Sequence, residues 1–335
     1  MDTPSLTDYA RLLYRLFHRF MQEKTQIEGA KRGRPYSYSE QGMIVFFMMM
    51  QLKRKYNFKA QHRWLSTHRV TCLMLGFKEV PHRTTLSRRY KALYPTLQEF
   101  MAFLAPYAAD LDQGFCLRDL VEDKSLFKAL GPVWHQSDRK QGRIPKKLRK
   151  LDQEATWGKS AYQGWVYGYG VHLTCTEAAF PVLMQVETGS VSETGVLDQK
   201  ADQIIDRLGC QTLTTDNGYA KAMRIRRWAA RGVALVTPAL QWVKGRYAEA
   251  YQRFIKEPEQ VQHLRRRRTS VEPLFDLMAK VLGTTGRHKQ LPVQGLSNVR
   301  TCLTLAALTV EFAMVVNSIY GLALRNVSTI EAALS

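Results

Sequence analysis

Three acidic side chains stand where a fold could gather them round a divalent cation. Asp216 closes a short β-type run (Leu213, Thr214, Thr215) in the stretch QTLTTDNGY, and the Asn217-Gly218 pair behind it is a chain-reversal signal. Asp123 closes another run of alternating character (Cys116, Leu117, Leu120, Val121), and Glu272 stands near the start of a helix-like segment in RRRRTSVEPLF. A carboxylate at a strand's end is held on rigid backbone yet open to ligand, which suits an oxygen-ligated cation. Two strand-end aspartates and one helical glutamate can converge in an α/β fold and hold two Mg2+ ions. Such ions activate a water or a 3′-hydroxyl and stabilise the leaving oxygen in phosphoryl transfer. Each position has a competitor. D-N-G also reads as an ordinary surface turn. Glu122 neighbours Asp123 but points to the opposite strand face, and Asp276 lies one helical turn beyond Glu272.

The composition narrows the partner. The chain has 335 residues, 45% of them apolar, which is globular and long enough for two domains. Its 49 Lys and Arg against 29 Asp and Glu give a net charge of +20, which is self-repulsive unless a polyanion is met. The five cysteines are odd in number and form no C-x-x-C, so neither a zinc site nor a disulfide framework is expected, and a reducing cytoplasm fits. No signal peptide is expected from MDTPSLTDYARLL. The long apolar run at 302–324 contains Glu311 and Asn317 and reads as a buried helix, with no membrane partner.

The acids need a scaffold, and the periodicity supplies one. Residues 5–24 place Leu6, Tyr9, Leu12, Leu13, Leu16, Phe17 and Phe20 at helical spacing. Lys31 to Pro35, KRGRP, reads as a basic linker, and Ser39 as the N-cap of a Met- and Phe-rich helix over 42–52. In PHRTTLSRRYKAL, Thr84 or Thr85 could cap a helix-turn-helix-like segment that offers Arg83, Arg88, Arg89 and Lys91 to DNA. Residues 1–110 are therefore expected to be a helical DNA-binding domain, 111–325 a catalytic domain and 326–335 a tail.

From Phe115 the pattern turns β-like, with strands expected up to Asp123, over 167–171, over 180–187, before Asp216 and over 233–237. Ser192 is the expected cap of a helix over 193–208. The basic loop RKQGRIPKKLRK, with Arg139, Lys140, Lys146 and Lys147, could hold phosphates beside the first acid, and Arg265, Arg266, Arg267 and Arg268 could do so beside Glu272. Trp157, Tyr162, Trp165, Tyr167 and Tyr169 are mostly core candidates, though one could stack on a splayed base. The chain alone establishes mixed α/β.

Four pieces, VEDKSLFKALGPVWH, ATWGKSAYQGWVYGYGVHL, LTTDNGYAKA and RRTSVEPLF, in this order, resemble the DDE transposases of bacterial insertion sequences over roughly residues 30–325. The resemblance implies an RNase H-like mixed-sheet catalytic domain preceded by the helical DNA-binding domain. Asp123, Asp216 and Glu272 would be the triad on two Mg2+ ions, with Mn2+ as a substitute, and Arg268 would belong to the Arg-x-x-x-Glu signature. The family often has Tyr three residues before that Arg, here Arg265, and Lys seven after the Glu, here Ala279 with Lys280 next to it. Lys280 is the candidate for the DNA contact of that lysine. The implied activity is Mg-dependent cleavage at an element's ends and transfer of the 3′-hydroxyl into target DNA. It would be carried out in the cytoplasm on the nucleoid, by a homodimer on DNA. The competing readings are a non-transposing metal-dependent nuclease and a DNA-binding regulator with an inactive nuclease core.

Overall fold

The computed structural model describes residues 4–28, 37–146, 148–238, 246–284 and 289–334. The expected linker at 31–35 lies outside them. Six helices come first: α1 (Leu6–Glu28), α2 (Glu40–Leu52), α3 (Phe58–Thr67), α4 (Arg69–Met74), α5 (Arg83–Ala92) and α6 (Tyr94–Leu111). Ser39 caps α2 by accepting the Gly42 N–H, as its position before the apolar run suggested. The cap of α5 is His82 rather than Thr84 or Thr85, because its ring nitrogen accepts the Thr84 N–H and the helix begins two residues earlier.

The sheet then alternates with helices: β1 (Asp119–Lys128), α7 (Gln136–Lys140), β2 (Thr156–Ser160), β3 (Gly164–Thr176), β4 (Pro181–Thr188), α8 (Glu193–Asp202), β5 (Thr212–Thr214), α9 (Ala222–Ala229) and β6 (Ala234–Val236). Helices α10 (Arg246–Phe254), α11 (Pro258–Leu282), α12 (Leu296–Ile319) and α13 (Ser328–Leu334) complete the chain. The strand order is β2-β3-β1-β5-β6, and β4 joins β3 on the edge that β2 leaves free. β1 is antiparallel to β3 and parallel to β5, and β5 is parallel to β6. This is the expected mixed α/β class with a helical N-terminal region.

Three elements differ from the sequence reading. The aromatic stretch forms two strands of a hairpin, because β3 is buried on both faces and lacks the alternation by which a strand's ends are read. The helix after Ser192 stops at Asp202 and passes into a π-turn over Gln203–Arg207, which no periodicity reveals. Glu272 lies in the second half of the 25-residue helix α11, not near a helix start. Pro273 follows it directly, with nine helical residues still to come. Inside a helix it removes an N–H and frees the carbonyl four residues back. That carbonyl, Thr269 O, accepts a hydrogen bond from Arg325 Nη1 at 2.8 Å.

α12 is long and apolar enough to span a membrane, yet it is almost wholly enclosed by α2, α5, α6, α11 and β4. Buried side chains from Tyr9 to Ile330 form one cluster around it, so the N-terminal helices and the sheet share a core. Glu311 sits in that helix, fully buried, with neither carboxylate oxygen hydrogen-bonded among the described residues. Burial pushes its pKa well above the ordinary 4.5. The folded protein therefore keeps a proton that the unfolded chain releases, and stability falls as pH rises past that value. Glu311→Leu is expected to raise the thermal midpoint by several degrees near neutral pH, and the gain should shrink near pH 4.5. Calorimetry across that range checks the trend.

Candidate active site

The two aspartates meet because β5 is short. β5 pairs with β1 as far as Val121↔Thr214 and stops. Two residues further on, each chain carries an acid, so continuing the same register sets Asp123 beside Asp216. Asp123 is thus in mid-strand rather than at a strand end, and its freedom comes from the loss of its neighbour on that edge. Asp216 caps a short 3-10 turn over Asn217–Tyr219, and its Oδ1 accepts the Gly218 N–H at 2.8 Å.

Positive charge reaches this pair from the helix packed on the sheet. Arg267 of α11 donates from Nη1 to Asp123 Oδ2 at 2.8 Å, and both side chains are mostly enclosed, at 13% and 16% exposure. The other oxygen, Oδ1, accepts the Lys124 N–H at 2.7 Å. Burial pushes Asp123 up to about 7, against the pull of Arg267 and with Asp216 and Glu193 adding like charge. Glu193, the first residue of α8, is half-buried, and its pKa is also raised, first by burial and then by Asp216. Gly218 allows that approach, since a β-carbon there would collide with Glu193 Oε1. Sequence reasoning passed over Glu193. Its one signal was an acid directly after a Ser cap, which is common at helix starts.

Glu122 points to the other face, as strand alternation requires. It is fully buried and ion-paired with Lys200 of α8 at 2.6 Å, and it accepts from Thr174 Oγ1 at 2.5 Å. Nearby His172 is fully buried, and neither ring nitrogen has a hydrogen-bond partner among the described residues. Burial, helped by Lys200 and Lys124, drives its pKa down to about 2, so it is neutral.

Glu272 is exposed, and the structure records no hydrogen bond or ion pair between it and either aspartate. At about 100° per residue, five residues turn it roughly 140° around α11 from Arg267. Asp276, its competitor, is exposed and paired with Lys289 at 2.9 Å. Among the described residues no group of three or more His, Cys, Asp or Glu side chains is close enough to hold a metal ion. The aspartate pair nonetheless fits a hard cation. Its donors are all oxygen, and the Arg267 guanidinium already rests where positive charge is stabilised.

The basic candidates divide by partner. Arg83, Arg88 and Lys91 are exposed on α5, whereas Arg89 is buried toward Glu40 at 3.9 Å because it shares the core side with Leu86 and Tyr90. Arg89 is therefore not on a surface that DNA could reach. Lys140 and Lys146 are exposed, and Lys147 lies outside the described residues. Arg139 is half-buried, donating to Ala155 O at 2.9 Å with its guanidinium 5.6 Å from the Trp134 ring centre. Arg265 and Arg268 are exposed, Arg266 pairs with Glu177 at 2.5 Å, and Lys280 donates to Ser328 Oγ at 2.8 Å.

Residues 131–291 match a family model described as transposase DDE domain. The match includes Asp216 and Glu272 and begins after Asp123. A cryo-EM structure of a piggyBac transposase synaptic complex with hairpin DNA is 11% identical, with a TM-score of 0.43, covering 97% of this chain and 79% of that one. No curated protein sequence matches.

The Glu122–Lys200 bridge ties α8 to the strand that carries Asp123. Lys200→Met leaves a buried carboxylate unpaired and is expected to cost roughly 3–5 kcal/mol in urea unfolding. Adding Glu122→Leu should recover most of that loss. Equal loss in the single and double variants would show that the two groups are not coupled.

Proposed function

We propose that the chain, whose residues 131–291 match the transposase DDE domain family, is a DDE transposase, an enzyme of metal-dependent phosphoryl transfer on DNA, and that it moves an insertion sequence. It cuts at the element's ends and transfers the freed 3′-hydroxyl into target DNA. The observation that carries this reading is the nearness of Asp216 to Asp123 just past the point where β5 stops, with Arg267 held against Asp123.

Asp123 and Asp216 would hold Mg2+ from the sheet, with Glu272 supplied by α11, the helix whose Arg267 already reaches Asp123. Two such ions would activate the attacking oxygen and stabilise the leaving one. The exposed Arg83, Arg88 and Lys91 would grip the ends, while Lys140, Lys146, Arg265 and Arg268 would hold phosphates nearer the cut. Attack in line by water and then by the 3′-hydroxyl needs no covalent protein–DNA bond, so no serine or tyrosine nucleophile is required. Joining two ends calls for two copies on one DNA, and the bacterial cytoplasm with its nucleoid is the proposed place of action.

The test is a plasmid carrying the gene with its flanking DNA, incubated with purified protein and Mg2+. The expected result is nicks at the flanks that leave 3′-hydroxyls, followed by joined products, with both lost in Asp216→Ala while DNA binding persists. Nicks without joining would favour a plain nuclease. Specific binding without cleavage by either protein would contradict the catalytic reading.

A further inference from the structure

The β2–β3 hairpin ends in two large rings that the fold leaves in water. Tyr162 is 73% exposed and Trp165 is 61% exposed. Other aromatics of the same sheet, Phe127, Tyr167 and Tyr169, are buried. An indole left in solvent forgoes roughly 1.5–3 kcal/mol of burial, so this tip is poorly explained by folding alone. Lys159 stands opposite Trp165 in the ladder, and its Nζ lies 5.9 Å from the ring centre.

The pairing fixes which way the tip faces. Residues directly opposed across a ladder share a face, and alternate residues of a strand share one too. Asp123 opposes Leu173 and Lys159 opposes Trp165, while Leu173 and Trp165 are both odd-numbered residues of β3. Trp165 and Lys159 therefore lie on the face that carries Asp123. Eight residues of β3 separate Trp165 from Leu173, which at ~3.3 Å each is roughly 26 Å. The root of the hairpin is fixed, since Trp157 Nε1 donates to Trp134 O at 2.9 Å and Arg139 to Ala155 O. A basic loop leads into β2 from the same root.

We propose that Trp165, with Tyr162 and Lys159, is a stacking site for an unpaired DNA base. The base would lie roughly seven to eight nucleotides from the bond cut at Asp123 and Asp216, taking ~3.4 Å per nucleotide. An aromatic ring stacks on the face of any base, and an adjacent ammonium adds attraction for the strand. Paired bases hide their faces, so the occupant is an unpaired one. A second copy of a chain with net charge +20 would bring like charge to this lysine, whereas a polyanion complements it. The distance to the cut bond rests on the transposase reading, while the stacking itself does not need catalysis.

The test uses the full chain and two fluorescein-labelled DNAs of mixed sequence, an intact duplex and the same duplex with a short single-stranded gap. Tyr162→Ala/Trp165→Ala is expected to weaken binding of the gapped DNA by about ten-fold or more and to leave the intact duplex little changed. Lys159→Ala should lower the salt slope by about one unit, and Met223→Ala, exposed on α9, should bind both DNAs normally. A 5-iodouracil placed in the gap should photo-cross-link to Trp165 or Tyr162 in the unmodified protein, a result that does not depend on any variant folding. Equal loss or no loss on both DNAs, a cross-link elsewhere, or a change in oligomeric mass with DNA affinity kept would overturn the proposal. A wild-type protein that binds neither DNA would overturn the transposase reading with it.

Discussion

Asp123 in the middle of β1 and Asp216 two residues past the end of β5 bring two carboxylates near one another, in a place that burial makes hostile to charge. Such a pair is tolerated only where positive charge is delivered, and much of the surrounding structure delivers or positions it. α11 lays Arg267 on Asp123. The other face of β1 is neutralised separately, by Lys200 on Glu122, so the two carboxylates that are adjacent in sequence never compete for one cation. The strand is thus charged on both faces. The Glu122 face is closed by its own ion pair, and the Asp123 face is completed by whatever cation or guanidinium reaches it.

That arrangement depends on elements far from it in the chain. α12 fills the centre of a core shared by the N-terminal helices and the sheet, and α11 packs between α12 and β1. Pro273 interrupts the α11 ladder one residue beyond Glu272, and Arg325, from the segment before α13, takes up the carbonyl so released. A helix that places Arg267 on one side and Glu272 on another is therefore held by packing and by hydrogen bonds that include Arg325 on Thr269 O and Lys280 on Ser328 Oγ.

Residue types with strong local meaning were legible in the sequence. Asp216 before Asn-Gly gave a turn at the end of a strand, Ser39 gave a cap, and the apolar run around Glu311 gave a buried helix. Alternation put Asp123 and Glu122 on opposite faces, as the structure has them, while the choice of Asp123 between them also drew on the family resemblance. What could not be read depends on pairing across the chain. Arg267 was one of four identical neighbours until the packing angle of α11 chose it for Asp123. Arg89 looked like its exposed neighbours until α5 turned it inward. Glu193 had no signal of its own, because its nearness to Asp216 comes from the crossing of α8 over the turn at Gly218. Glu272 was misplaced on its helix because the basic run before it, read apart from the helix, is itself helical from Pro258 onward.

The central claim is that Asp123 and Asp216 together bind a divalent cation, and Fe2+-directed hydroxyl-radical cleavage of the protein backbone tests it most directly. Iron bound in place of Mg2+ cuts the chain beside its ligands, and the fragments map them without any need for DNA. The account predicts cleavage near Asp123 and Asp216, suppressed by excess Mg2+ and lost in Asp216→Ala, with a third cut near Glu272 or Glu193 naming the remaining ligand. Cleavage that ignores Mg2+, or that falls away from both strands, would contradict it.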